Sequence, residues 1–353
     1  MINISKKTLQ DLEFESVIQQ VAAHNVTSLG KTEVLATLPF SKRDEVIDAL
    51  RLTNEFVSSF ENENRIPNHG FDAITSELKL IQIENNYLEI DGFRKIASLC
   101  VTTNILLKFF KKFHEYYPLL HTVSLQLEAN KEIPEAIHSV VDKFGEIRND
   151  ASDTLYSLRK SIQAVRTKIN TSFNSALSMY NSAEYLDDIR ETVMENRRVL
   201  AVKAMYRRKV KGSILGASKT GSIVYIEPDA THQHQRDLNN LEFEETEEIK
   251  RILLELTSFI SGYSPLLELY QEFLAKLDVI YAKAKYAKEI NAVLPEITTH
   301  QEIDLVNAYH PLLLVANKRE GITTFPQTIT MTTNSRIIVI SGPNAGGKSI
   351  TLK

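Results

Sequence analysis

At 353 residues, 43% hydrophobic and 24% charged, the chain has the size of two or three soluble domains with a real core. A net charge of −4 excludes polyanion binding by overall charge, so any nucleic-acid contact has to come from a local patch. Cys100 is the only cysteine and no run is apolar enough to span a membrane, which excludes an intrachain disulfide and a membrane protein and fits a cytoplasmic setting.

The N-terminus, Met1-Ile2-Asn3-Ile4-Ser5, has no signal-peptide core, and short helices are predicted to follow. Ser41 is read as the cap of one, with Asp44 three residues on and Val46, Ile47, Leu50, Thr53, Phe56, Val57 and Phe60 on one face. Asp91 caps another that runs to about Phe113, and the cluster 62–68 with Gly70 marks the loop between them. Residues 1–125 are taken as a helical core in which Cys100 is inert.

The region 126–195 reads as a first lever arm, with a long helix from about Asp150 to Tyr180. Leu155, Leu158, Ile162, Val165, Ile169, Phe173 and Ala176 recur at spacings of three and four, a heptad-like seam on a helix about 45 Å long. A second periodic stretch, 238–293, carries Ile249, Ile252, Leu256, Phe259, Tyr263, Leu267, Tyr270, Leu274, Leu277 and Tyr281. Pro265 lacks a donor N–H and should kink or restart it near Ser264. Two such seams predict an antiparallel pair of arms, against the simpler alternative of two core helices in a bundle. Glu242, Glu244, Glu245, Glu247 and Glu248 are read as a solvated helix start, and the Phe-x-Glu match at Phe243-Glu244-Glu245 as chance.

Between the arms, at 196–237, helical periodicity gives way to β-type segments. These are Val199–Met205, Val210–Leu215 and Ser222–Ile226, punctuated by Gly212, Gly216 and Gly221 and closed by Glu227-Pro228. This β-rich module holds Arg197, Arg198, Lys203, Arg207, Arg208, Lys209 and Lys211, a cation density suited to a phosphate backbone. The competing reading is a strand edge that uses cations against aggregation. Only Tyr206 and Tyr225 accompany the patch, which favours backbone contact over base reading. His232-Gln233-His234 lacks further ligands at metal-binding spacing, and His310-Pro311 reads as a turn before a strand.

Residues 294–353 read as the opening of an α/β domain, with strands at Ile303–Val306 and Ile337–Ile340. The second feeds Gly342-Pro343-Asn344-Ala345-Gly346-Gly347-Lys348-Ser349, which fits the G-x-x-x-x-G-K-[ST] phosphate loop. In such a loop the backbone N–H groups cradle phosphates, the lysine reaches the terminal phosphates and the serine hydroxyl ligands Mg²⁺. The nucleotide is expected to be ATP. Few residues follow, so the chain is expected to carry a nucleotide site without the rest of the enzyme.

Taken together the chain resembles the MutS family, in its type-two branch associated with an Smr domain. The resemblance rests on Leu12-Glu13-Phe14, Ser28-Leu29-Gly30-Lys31, Arg197 to Lys203, Tyr206-Arg207, Lys211-Gly212, Ser218, Thr220-Gly221 and Ile226-Glu227-Pro228. It continues through Asn239-Asn240, Glu247-Glu248-Ile249, Arg251-Ile252-Leu253, Ala282 to Ala287, His310 to Leu313, and Gly342 to Lys353. It implies a mainly α fold: a helical core, long antiparallel lever helices with a β-rich clamp, and the first strands of an ABC-type ATPase domain completed by homodimerisation. It further implies DNA repair or recombination control on double-stranded or branched DNA, or action on collided ribosomes through rRNA. Phe325 falls near the family's adenine-stacking aromatic. The mismatch-reading domain of other MutS proteins has no counterpart here, so mismatch recognition is not expected. With the Walker B acid and the trans signature outside these residues, no ATP turnover is expected from them. The rival class is a coiled-coil scaffold ATPase, which places its phosphate loop before the coiled coil rather than after it.

Overall fold

A computed structural model describes residues 4–342 and 347–352. In chain order it contains α1 (Lys6–Asp11), α2 (Phe14–Ala22), α3 (Ser28–Leu35), α4 (Arg43–Ser59), α5 (Thr75–Leu80), α6 (Ile90–Lys112), α7 (Pro118–Ser124) and α8 (Glu132–Val140). Next come α9 (Asp153–Ser182), β1 (Leu186–Met194), β2 (Arg197–Lys203), β3 (Gly212–Ala217), β4 (Ile223–Pro228), α10 (Asp229–Ser261) and α11 (Ser264–Glu289). The last are β5 (Ile303–Ala308), α12 (Pro311–Glu320), β6 (Gln327–Met331) and α13 (Lys348–Leu352). The protein is mainly α with small antiparallel sheets. The chain divides into two compact units.

The first unit comprises 1–83, 91–135 and 260–353. Its centre is α11, which buries Leu267, Tyr270, Leu274, Leu277, Ala282 and Tyr286 among α2, α3, α4 and α5. Only Glu268, Leu269, Glu272 and Lys276 of its middle turns are exposed, so most of its circumference faces the core. Pro265 falls in its first turn, where a missing N–H costs nothing, so the second periodic stretch restarts there as expected. Ser41 is not a cap: Lys42 occupies that position, and α4 begins at Arg43. Cys100 is fully buried in α6, and burial pushes its thiol up to about 12, in keeping with an inert core residue.

One polar node is buried in this unit. Asp278 of α11, with no exposed surface, accepts from the Val26 N–H (3.1 Å), the Thr27 N–H (3.0 Å) and the Thr27 hydroxyl (2.5 Å). Its Oδ1 also lies 3.1 Å from His69 Nε2. Thr27 in turn caps α3, accepting from the Gly30 N–H at 3.0 Å. A Cβ on Gly30 would fall 2.3 Å from Asp278 Oδ2, which explains the glycine in Ser28-Leu29-Gly30-Lys31.

The second unit comprises 84–90 and 136–259. In α9, Leu155, Ile162, Phe173 and Ala176 are buried and Leu158, Val165 and Ile169 are half-buried, so the predicted seam faces inward. Opposite it runs α10, antiparallel, as three contacts in reverse order show. Ser152 Oγ donates to Glu248 (2.6 Å), Arg159 to Glu245 (2.7 Å) and Arg166 to Glu242 (2.9 Å). The acidic cluster is therefore not a solvated helix start. The helix begins earlier, at Asp229, and residues 242, 245 and 248 fall on one face at spacing three. Arg251 also grips Glu248, and chiefly through that bond its carboxyl is pulled down to about 2. Ile162→Asp would bury an unpaired carboxylate in the seam and should cost about 3 kcal/mol or more, whereas exposed Lys168→Asp should stay within about 0.5 kcal/mol. Thermal melts of both variants, followed by circular dichroism, check this; equal tolerance would contradict a packed seam.

Two further expectations fail. Residues 336–340 lie in no strand, and Ile337 and Val339 are 83% and 85% exposed. A strand needs a neighbour for its N–H and C=O groups, and among the described residues β5 pairs with β6 alone. His310-Pro311 opens a helix, not a strand: His310 Nδ1 accepts from the Leu313 N–H (3.4 Å), and Pro311 supplies the favoured first-turn proline of α12.

Candidate nucleic-acid interface and phosphate loop

The β module is one antiparallel sheet in the order β1-β2-β4-β3. Strand β1 has no counterpart in the sequence reading, because Leu186–Met194 is charged and interrupted by a register shift after Leu186. Glu195 and Asn196, both at positive φ, turn β1 into β2 with the twist that a tight hairpin requires. Val199, Leu200, Ala201 and Val202 are completely buried in β2. One face of the sheet, with Leu200, Val202, Val224 and Ile226, packs on Phe173, Ala176 and Tyr180 of α9. On the other face Met194 lies over Gly216, where a Cβ would come within 2.8 Å of the methionine methyl.

The seven cations divide into two groups. Arg197 Nη1 holds the buried Glu227 carboxylate at 2.9 Å, and His232 Nε2 lies 3.7 Å from the same group. Arg198 makes two hydrogen bonds to Glu191 (3.1 and 2.6 Å) and one to Asn170 (3.1 Å), with its guanidinium 4.2 Å from the Phe173 ring centre. These two arginines bind the module to itself and to α9. Lys203 is half-buried, with Nζ 3.5 Å from the Glu184 carbonyl.

The others face outward. A short 3₁₀ turn, Ala204–Tyr206, follows β2, and Tyr206 stacks on Tyr185 with ring centres 4.8 Å apart. Arg207, Arg208 and Lys209 are exposed directly after it, and the Lys209 ammonium lies 5.5 and 5.8 Å from the two tyrosine rings. Buried Val210 then anchors the chain, and exposed Lys211 donates its backbone N–H to the Tyr180 hydroxyl at 3.1 Å. Among the described residues none of these four cations has a carboxylate within ion-pair range. Four unpaired positive charges on a braced loop form a surface that can hold a polyanion. His232 Nδ1 also lies 3.4 Å from Asp229, and no group of three or more metal-ligating side chains occurs among the described residues.

Of the phosphate loop, Pro343, Asn344, Ala345 and Gly346 lie outside the described residues. Gly342 and Gly347 both take positive φ, +152° and +79°, and Gly347 needs its freedom at a left-handed position. The Gly347 carbonyl accepts from Ile350 and Thr351, so helical turn begins at Lys348. Lys348 Nζ reaches back to the Gly342 carbonyl at 2.6 Å, and Ser349 is exposed. The Lys348 ammonium and the exposed Ser349 hydroxyl are the kinds of group that phosphates and Mg²⁺ take. Phe325 is 78% exposed.

No family model matches the chain. It is 31% identical over 350 residues, 98% of its length, to the endonuclease MutS2 of Geobacillus sp. (strain WCH70). It is 30% identical over 353 residues to that of Geobacillus thermodenitrificans (strain NG80-2), and 28% over 352 to that of Alkaliphilus oremlandii (strain OhILAs), each match covering 99% of the chain. The chain spans 44% of the length of each of these relatives. Fold and site define the class: a mainly α protein in which a long antiparallel helix pair carries a cationic β module. The similarity to these proteins, all named MutS2, runs along nearly the whole chain. Among the described residues no helix is long and apolar enough to cross a membrane.

Proposed function

We propose that this chain is the nucleic-acid-gripping part of a MutS2-type ATPase, working in the cytoplasm as a homodimer on double-stranded or branched DNA in repair or recombination control. The observation that carries the reading is the exposed set Arg207, Arg208, Lys209 and Lys211, without carboxylate partners among the described residues, in a chain of net charge −4. Half-buried Lys203 adds to this set, Arg197 serves it by tying β2 to Glu227 of β4, and Arg198 by holding the module on α9. ATP with Mg²⁺ is the ligand proposed for Gly342 to Ser349, with Lys348 at the terminal phosphates and Ser349 at the metal. Bound ATP supplies a phosphoryl group whose hydrolysis can drive change of conformation. The relatives' name adds endonuclease activity to those longer proteins; the part proposed for this chain is to hold the substrate.

The test is fluorescence anisotropy of a labelled four-way DNA junction with the 353-residue chain, competed with unlabelled duplex DNA or ribosomal RNA. Tight, salt-steep binding that DNA displaces supports the proposal. Absence of binding at about 50 mM salt contradicts it, and preferential displacement by ribosomal RNA moves the target to the ribosome, because phosphate contacts alone do not separate the two.

A further inference from the structure

The turn between β3 and β4, Ser218-Lys219-Thr220-Gly221-Ser222, belongs to neither group of cations. From Arg197 to Ile226 the chain has no acidic residue at all, and Lys219 is the cation in that span outside the seven already placed. The turn is closed by its first residue. The Ser218 carbonyl accepts from the Gly221 N–H (2.9 Å), the Ser218 N–H donates to the Ile223 carbonyl (2.9 Å), and Ser218 Oγ accepts from the Ile223 N–H (3.1 Å). Gly221, at φ +69°, allows the chain to re-enter β4.

Thr220 and Ser222 contribute little to that closure. Their hydroxyls lie 2.8 Å from each other, Thr220 Oγ1 is 3.4 Å from Ser218 Oγ, and both residues are exposed, as is Lys219. A backbone bond fixes the turn to the cationic loop: the Ser222 carbonyl accepts at 2.9 Å from the N–H of Ala204, the residue that opens the 3₁₀ turn leading to Arg207. Two exposed hydroxyls and an ammonium without a carboxylate partner among the described residues are thus braced beside Arg207, Arg208 and Lys209. Lysine and the hydroxyls of serine and threonine are the side chains that contact phosphate and sugar oxygens in nucleic-acid complexes.

We propose that this turn is a second phosphodiester-binding element, in which Lys219 pairs with a backbone phosphate and the Thr220 and Ser222 hydroxyls donate to its oxygens. It rests on the reading above that the adjacent loop grips a nucleic-acid backbone. The two elements, joined through Ala204 and Ser222, hold neighbouring stretches of that backbone and so fix its direction across the module.

Binding of labelled duplex DNA by the 353-residue chain, measured across a range of salt, tests the proposal. Lys219→Gln should lower the slope of log K against log salt by about 0.9, and Lys219→Arg should restore it. Thr220→Val with Ser222→Ala should weaken binding about two- to tenfold at unchanged slope, because hydrogen bonds are lost and no counterion contact is. Circular dichroism checks that each variant keeps its fold, which the turn's exposure favours. If Lys219→Gln leaves slope and affinity unchanged while neutralising Arg207, Arg208 and Lys209 abolishes binding, the turn is no contact and the loop reading stands. If neither matters, both readings fall.

Discussion

Replacing Arg207, Arg208 and Lys209 together by glutamine should flatten the salt dependence of duplex DNA binding by about 2.7 in log–log slope, since each lost phosphate contact removes about 0.9. Affinity near 50 mM salt should fall on the order of a hundredfold, and equally for unrelated sequences, because backbone contacts carry no base information. The three side chains are exposed and form no ion pair among the described residues, so the fold should survive the change. Arg197→Gln is the contrasting control. It leaves the buried Glu227 carboxylate without its guanidinium partner and should act first on stability. An unchanged slope in the folded triple variant would remove the loop from the interface.

Asp278→Ala should destabilise the protein by about 3 kcal/mol or more, the largest stability loss expected of any polar substitution in the first unit. It leaves the Thr27 N–H and hydroxyl buried, and the Val26 N–H part-buried, without an acceptor, and unsatisfied buried donors cost about 1–3 kcal/mol each. Gly30→Ala attacks the same node from the other side, by driving a methyl group to 2.3 Å from the carboxylate. The node also has a pH signature. Burial works to raise the Asp278 pKa, yet the hydrogen bonds from His69, Thr27 and the Val26 N–H outweigh it, and the folded value lies below the ordinary 3.8. A lowered folded pKa means that its contribution is in place above about pH 4 and is lost as pH falls through the lowered value. Urea denaturation of the wild type and of Asp278→Ala between pH 3 and 7 measures it. A gap between them that does not narrow toward pH 3 would show that the carboxylate's charge is not what holds the node.

The long helix α9, the β-rich insert and the restart at Pro265 were legible in the sequence, since each is written in short-range periodicity or in proline's missing N–H. The second seam reads as one arm in the sequence, whereas its α11 half packs instead on α2, α3, α4 and α5. The start of α10 was not legible, because residues 229–237 are almost entirely polar and a helix without an apolar stripe leaves no periodic signal. Nor was the division of the cation cluster, which sequence presents as one patch. Arg197 and Arg198 are half-buried and paired because Glu227, Glu191 and Phe173 come to them across strand pairing and from a helix, and spacing along one segment does not report such partners. Signals for some of these pairs were present: Arg159 and Arg166 one heptad apart, opposite Glu242, Glu245 and Glu248 at spacing three, describe complementary helix faces. By itself the sequence determined most of the long helices, the β-rich character of the insert and the family resemblance, because these depend on neighbours within a few turns of chain. Only the tertiary structure decided which charges are spent inside and which face solvent, and why Gly30 must be glycine. Those outcomes rest on contacts such as Thr27 to Asp278, 251 residues apart, that exist only once the chain has closed on itself.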